Sequence, residues 1–355
     1  MKIAVIMPRW VGDAVMATPA LRTLRSHFPS ARITGVMRPL IADLLAGTPW
    51  LDATIPYERH RPDPSTSFAA AAGALRAVRP DAAVILPNSL SAAALAWRGG
   101  ARRRIGAAGN LRRWLLTDVV PPHRDSRGRP EIIPPPVAYL DVVAALGVPC
   151  GSLDVELVAT PEDLAAADAV LGRLFPEQSG ALIVLNDNSS NGPARAWGVE
   201  KVAGLAAWIA DRLPGARILV HCGPADRDEA RQVVARADRP TVRGLHDLPE
   251  LPIGLSKAIF ARASVAVSSD SGPRHIAAAF GVPTVALIGP TDPRLGRSAP
   301  TRCTEIRLDL ACSPCGETHC PLGHHDCLLL VTVEEVGRAV LRYAAAPDAS
   351  RSPPR

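Results

Sequence analysis

The chain has 355 residues, 47% of them hydrophobic, and its 40 Lys and Arg outnumber 34 Asp and Glu. That length and apolar content predict a globular protein of two domains. They exclude a membrane-spanning helix, because no apolar run approaches the ~20 residues one needs.

The opening run Lys2–Met7 is too short for a signal peptide and is interrupted at once by Pro8 and Arg9. A cytoplasmic protein is therefore expected, and in that compartment seven cysteines argue against a disulfide framework. The charge is unevenly placed. Residues 1–158 carry 19 Lys and Arg against 12 Asp and Glu, whereas residues 159–355 carry 21 against 22. The first half is thus expected to face an anionic partner. Its densest patch is Arg98, Arg102, Arg103, Arg104, Arg112 and Arg113, with no acid among them. Such a patch suits polyanionic carbohydrate, lipid headgroups or nucleic acid, or is a solvated face.

Short apolar runs alternate with amphipathic stretches, the pattern of a parallel sheet covered by helices. In the first half the pattern predicts strands at Lys2–Met7, Arg32–Val36 and Ala82–Leu86, and helices at Val15–His27, Ser67–Val78 and Val137–Leu146. The first strand runs into Pro8-Arg9-Trp10-Val11-Gly12-Asp13, at the ligand-facing edge of an open α/β sheet. One glycine there is not the G-x-G-x-x-G of a dinucleotide site. Asp13 either caps the following helix or takes a proton from an acceptor hydroxyl as general base.

A second series follows a linker around Gly151–Pro161. It predicts strands at Ala181–Leu185, Arg217–His221, Ser264–Val267 and Thr284–Ile288, and helices at Val199–Arg212, Arg227–Ala237 and Leu251–Ala261. Two Rossmann-like halves result. The expected division is 1–158, 159–332, a helix at 333–345 crossing the domain boundary, and a disordered tail at 346–355.

Two segments of the second half suit phosphate. In Ser268-Ser269-Asp270-Ser271-Gly272-Pro273-Arg274-His275, a strand, a glycine turn and a helix start would bring backbone N–H groups together. Gly272 permits close approach, Ser271 offers a hydroxyl, and His275 lies one turn into the helix near the same oxygens. Asp270 is expected to orient His275 or meet a sugar hydroxyl. The plain alternative is an ordinary helix start with an incidental histidine. The other segment holds Ser189, Ser190, Asn191 and Gly192, then Arg195, whose fork can grip phosphate through two parallel bonds. A surface loop is its competing reading.

Taken together, Pro8–Met16, Leu86-Pro87-Asn88-Ser89, Gly192–Trp197, Ser269–Gly272 with His275, and Val285–Thr291 resemble the heptosyltransferases of lipopolysaccharide core synthesis, glycosyltransferase family nine. Within that family the Trp-Val-Gly-Asp and Leu-Pro-Asn-Ser pieces look like the heptosyltransferase II group. The resemblance implies an α/β protein of GT-B fold, two Rossmann-like domains facing across a cleft, the first for the acceptor and the second for an ADP-sugar. It implies an inverting transferase that needs no metal for its chemistry, with Asp13 as catalytic base. Ser189, Ser190, Asn191, Arg195, Asp270, Ser271, Gly272 and His275 would bind the donor. Trp10, Gly12, Asn88, Ser89, Arg98, Arg102, Arg103 and Arg104 would bind the acceptor. The partners implied are ADP-heptose and the lipid A inner core, for a monomer at the cytoplasmic face of the inner membrane, in peripheral contact with its leaflet and without nucleic acid. The family often has Pro-Gly-Ala where this chain has Asn186-Asp187-Asn188, which leaves open another donor sugar or acceptor. A nucleotide-sugar epimerase and a non-catalytic polyanion binder are the readings from other classes.

Cys312, Cys315, Cys320 and Cys327 stand apart from this pattern. With His319, His324 and His325 among them, they have the residue types and close spacing of a structural zinc site, though only Cys312 and Cys315 form a true C-x-x-C. Reduced thiols packed in a loop are the alternative.

Overall fold

A computed structural model describes residues 1–60, 63–187, 192–297 and 302–345. The chain forms two compact units, the first spanning Met1–Leu157 and the second beginning at Val158. The expected tail at 346–355 lies outside the described residues.

In the first unit the elements run β1 (Lys2–Ile6), α1 (Val11–Met16), α2 (Thr18–His27), β2 (Arg32–Met37), α3 (Pro39–Leu44), β3 (Ala53–Pro56), α4 (Phe68–Val78), β4 (Ala82–Ile85), α5 (Leu90–Arg98), β5 (Arg103–Ala107), β6 (Asp118–Val120) and α6 (Pro135–Ala144). The strands are parallel, in the order β3-β2-β1-β4-β5-β6. The central strands have no polar face: Ile3 to Ile6 and Ala82 to Ile85 are all buried, as helices on both sides of a parallel sheet require. On one side α4 and α5 bring small residues, Ala71, Ala92, Ala93 and Ala96, close against Ile6 and Ile85.

The predicted helix Val15–His27 is two helices that part at Ala17. Pro19 is the cause, since it lacks an N–H and its ring excludes the carbonyl four residues back. That carbonyl, on Val15, accepts the Thr18 hydroxyl instead (2.7 Å). Strands β3, β5 and β6 escape prediction because they lie toward the sheet edges and lack a continuous apolar run. β5 even opens on Arg103-Arg104, two of the six arginines of the basic patch.

The second unit runs α7 (Pro161–Leu174), β7 (Leu182–Asn186), α8 (Val199–Arg212), β8 (Arg217–Val220), α9 (Arg227–Ala237), β9 (Val242–Gly244), α10 (Ile253–Arg262), β10 (Val265–Ser269), α11 (Gly272–Ala279), β11 (Thr284–Leu287), β12 (Cys303–Ile306), α12 (Asp326–Leu329) and α13 (Val333–Ala344). Its parallel sheet has the order β12-β11-β10-β7-β8-β9. Helix α13 packs on α8, β10 and β11, and Gly337 makes room for the Trp208 ring, which a Cβ there would overlap. Among the described residues, no helix is long and apolar enough to cross a membrane.

Counted from each unit's own first strand, both sheets read 3-2-1-4-5-6. In that doubly wound order the chain leaves neighbouring strands toward opposite faces at one point, opening a crevice at their carboxyl ends. The switch point lies between β1 and β4 in the first unit and between β7 and β10 in the second.

Candidate active site

Asp13 and Ser89 flank the first switch point. The loop after β1 enters α1 with Trp10 at its N-cap and Asp13 in its first turn, half-buried. Asp13 makes its charge felt at Tyr139 of α6, whose phenol is driven well above its ordinary pKa by burial and then by that carboxylate. After β4, the Ser89 hydroxyl accepts the Ala92 N–H (3.3 Å) and starts α5. Asn88 is braced through its carbonyl, which accepts from Asn110 Nδ2 (2.5 Å).

A cavity of about 190 Å³ opens at the carboxyl ends of β1 to β4, lined by Pro8, Arg9, Arg38, Tyr57, Arg59 and Ser89 among others. Arg38 pairs with Glu58 (3.0 Å) and donates to the Arg9 carbonyl (3.3 Å). Arg59 donates to Ser91 Oγ (3.2 Å). The Arg9 guanidinium lies over the Trp10 ring, 4.4 Å from its centroid. Three guanidinium groups against one carboxylate make this wall a place for an anionic group.

The arginine patch does not share that edge. In a parallel sheet the strand starts lie opposite the carboxyl ends, and Arg103 and Arg104 begin β5, with Arg102 just before it and Arg98 closing α5. Arg103 is paired with Asp118 (2.7 Å), and Arg104 donates to the carbonyls of Leu115 (2.6 Å) and Ala101 (2.8 Å). Arg112 is fully buried and donates to the carbonyls of Ala107 (2.7 Å) and Pro87 (2.5 Å). Burial brings its pKa down to about 10. The arginines expected at the acceptor therefore lie apart from this cavity. Arg98, Arg102, Arg103 and Arg104 belong to the far edge, while Arg9, Arg38 and Arg59, which sequence reasoning missed, line the cavity beside Ser89.

In the second unit Asn186 and Ser271 flank the switch point, with Asn186 opposite Ser268 in the β7–β10 pairing. Helix α11 begins at Gly272 and Pro273, and a helix start leaves its first amides without helical partners. Ser271 occupies the N-cap position, yet its hydroxyl makes no capping bond. Asp270 is paired with Arg274, Oδ1 to Nε 2.9 Å, both nearly buried. That pairing gives the Asp270 carboxylate a partner other than the His275 or sugar hydroxyl expected. Arg274 also donates to the Gly296 carbonyl (2.6 Å), and a Cβ at Gly296 would overlap its guanidinium. Burial, and then the Arg274 charge, hold His275 well below its ordinary pKa, so the imidazole is neutral.

Arg195 reaches the same turn. Gly192, in the left-handed region at φ 107, opens the short turn Pro193–Arg195, and Arg195 Nη1 donates to the Asp270 carbonyl (2.9 Å). Ser189, Ser190 and Asn191 lie outside the described residues. Asp187 is turned inward: the N–H groups of Trp197 and Gly198 donate to its two oxygens (2.8 and 2.7 Å). Burial nonetheless drives its pKa up to about 7. Its two oxygens thus tie the start of α8 to the end of β7.

Cys312, Cys315, Cys320 and Cys327 line one cavity of about 20 Å³ with His324 and His325. The side-chain bonds that surround it run to the protein itself. His325 Nε2 meets the Ala194 carbonyl (2.7 Å), His324 Nδ1 accepts the Asp326 N–H (3.0 Å), and the His325 N–H donates to Cys320 Sγ (3.4 Å). Burial, and then the neighbouring thiols, push Cys327 up. Among the described residues no group of three or more Cys, His, Asp or Glu is arranged to hold a metal ion. The residue types fit zinc; their arrangement does not.

Residues 69–325 match Glycosyltransferase family 9 (heptosyltransferase). Lipopolysaccharide heptosyltransferase 2 of Escherichia coli is 26% identical over 95% of this chain and 96% of its own. The protein of the same name from Salmonella typhimurium is 28% identical over the same shares. Among solved structures, E. coli ADP-heptose LPS heptosyltransferase II superposes with a TM-score of 0.78 at 24% identity, covering 97% of this chain and 99% of that one. A family 9 glycosyl transferase from Veillonella parvula gives 0.80 at 21% identity, covering 97% of each. The fold is GT-B. With the match running through most of the chain, the protein is a glycosyltransferase and belongs to glycosyltransferase family 9, the heptosyltransferases.

Proposed function

We propose that this protein transfers heptose from ADP-L-glycero-D-manno-heptose to the heptosyl-Kdo inner core of lipopolysaccharide, with inversion at the anomeric carbon and no metal in the chemistry. The first unit binds the acceptor and the second the donor, at the cytoplasmic face of the inner membrane. The observation that carries the reading is the turn at the second switch point, where the start of α11, Ser271 and Arg195 converge. Such a turn suits the diphosphate of a nucleotide sugar, and the relatives named for ADP-heptose chemistry share the fold around it.

Asp13 takes the proton of the acceptor hydroxyl as that oxygen attacks the anomeric carbon. The new C–O bond forms opposite the breaking bond to ADP, which inverts the centre. ADP leaves with added negative charge, and the first amides of α11, the Ser271 hydroxyl and the Arg195 guanidinium stabilise it. His275, being neutral, contributes a hydrogen bond and no charge. The cations Arg9, Arg38 and Arg59 match an acceptor rich in carboxylates and phosphates.

The test is incubation with ADP-heptose and lipopolysaccharide acceptors from strains truncated at defined positions, following ADP release and the mass of the product. ADP and a heptose-extended core should form together with the acceptor that ends in one heptose. Failure to release ADP with every such acceptor would sink the assignment.

A further inference from the structure

Behind the donor turn lies a chain of side-chain hydrogen bonds that none of the ligand-facing roles uses. Ser256 Oγ lies 2.9 Å from His221 Nε2, and His221 Nδ1 lies 3.0 Å from Asn186 Oδ1. Asn186 Nδ2 then donates to Ser271 Oγ over a longer 3.4 Å. Ser256, His221 and Asn186 are 8%, 6% and 4% exposed, so the chain runs through the interior from α10, past the end of β8, to the switch point.

The chemistry of these groups gives the chain a direction. Burial holds His221 down at about 4, so the imidazole is neutral and has one N–H. An amide oxygen only accepts, so Nδ1 carries that hydrogen and Nε2 accepts from the Ser256 hydroxyl. With its Oδ1 on His221, the Asn186 amide presents its NH₂ to Ser271, and the two orientations, tautomer and amide, go together. Ser271, which receives from the amide, has its own proton to give; without ligand that proton is directed at the Ser269 carbonyl over a long 3.4 Å. Ser67, Ser89, Thr160 and Thr332 each cap the helix they precede with the side-chain oxygen. Ser271 does not: its oxygen receives from Asn186 and from the Ser269 hydroxyl, each 3.4 Å away, and lies 3.5 Å from Ser268 Oγ.

We propose that His221 is a positioning residue for the donor diphosphate: through Asn186 it sets the Ser271 hydroxyl to donate to a phosphate oxygen. The inference rests on the reading of this turn as the nucleoside diphosphate site. Were the Asn186 amide reversed, its oxygen would take the Ser271 proton and leave lone pairs facing the phosphate. A buried hydrogen-bonded chain of this kind also favours a single arrangement before ligand arrives.

A double-mutant cycle separates this role from simple packing. ADP binding to the full chain is measured by titration calorimetry for wild type, His221→Phe, Ser271→Ala and the double variant. Each single substitution should weaken ADP about tenfold, and His221→Phe should add nothing once Ser271 is Ala. Equal weakening by His221→Phe in both backgrounds, or none in the wild-type background, overturns the inference. Ser256→Ala, which keeps the imidazole and removes only the donor to Nε2, gives a milder second cycle. It should weaken ADP a few fold, again only when Ser271 is present, and it decides the matter by the same criterion if His221→Phe does not fold. A wild-type protein that fails to bind ADP overturns the donor reading and this inference together. Loss of the coupling with wild-type binding intact overturns this inference alone.

Discussion

Arg274→Met tests whether the Asp270–Arg274 pair holds the donor turn together. The two side chains are 7% and 5% exposed and meet at 2.9 Å, while Arg195 stands farther off, 3.9 Å from the other Asp270 oxygen. Methionine keeps much of the arginine stem's volume and removes the charge. The Asp270 carboxylate then stays buried with its close partner gone, a change that costs about 3–5 kcal/mol when a buried pair is broken from one side. Arg195, partly exposed, offsets some of this, so the lower end, about 3 kcal/mol, is expected. A domain of this size loses roughly 2–4 °C of melting temperature per kcal/mol, so the second unit should melt about 6–12 °C lower by scanning calorimetry. Asp270→Asn combined with Arg274→Met should recover most of the loss, because a neutral amide needs no counterion. A loss below about 1 kcal/mol for Arg274→Met, or a double variant as unstable as the summed singles, would refute the reasoning. The same substitution should raise the His275 pKa, since the Arg274 charge is one of the two causes that depress it, and burial would remain.

Three further outcomes follow from the two switch points. Asp13→Asn should lower kcat/KM by about 10²–10⁴, with ADP affinity unchanged; a variant at full rate removes the base from Asp13. Arg59→Ala should raise the acceptor KM about 10–100-fold, the size of one charge-assisted hydrogen bond, and leave the donor KM alone. Arg102→Ala at the far sheet edge should change neither, and the opposite pattern would return the acceptor to the arginine patch. The Asp187 carboxyl is pushed up to about 7 from 3.8, so folding favours its protonated form. Its contribution is fully present below about pH 4 and is lost as pH rises through 7, on the order of 4 kcal/mol in all. Urea unfolding at pH 5 and pH 8 should therefore show a steeper fall for wild type than for Asp187→Asn, and parallel falls would discard this account.

What was legible in the sequence is what lies beside a strong strand. The runs Ile3 to Ile6, Ala82–Ile85 and Val265–Ser269 are buried on both faces, and the residues that follow them, Asp13, Ser89 and Ser271, come to the carboxyl edge because a parallel strand can end nowhere else. Side-chain commitment is not written in the same way. A row of arginines carries the same charge in sequence whether its members are paired like Arg103, spent on carbonyls like Arg104, or sealed inside like Arg112. Asp187 shows in sequence only as a departure from Pro-Gly-Ala, and its oxygens hold the start of α8 through backbone N–H groups ten and eleven residues on. Arg38 and Arg59 gave no local signal because each follows a different strand and they share a wall only through the order β3-β2-β1-β4. The same holds for the chain behind the donor turn. His221 and Asn186 are 35 residues apart, and Asn186 and Ser271 are 85 apart. They become neighbours because the second sheet sets β7 between β8 and β10, so the crossover that creates the switch point also brings a buried imidazole within one amide of the serine it orients.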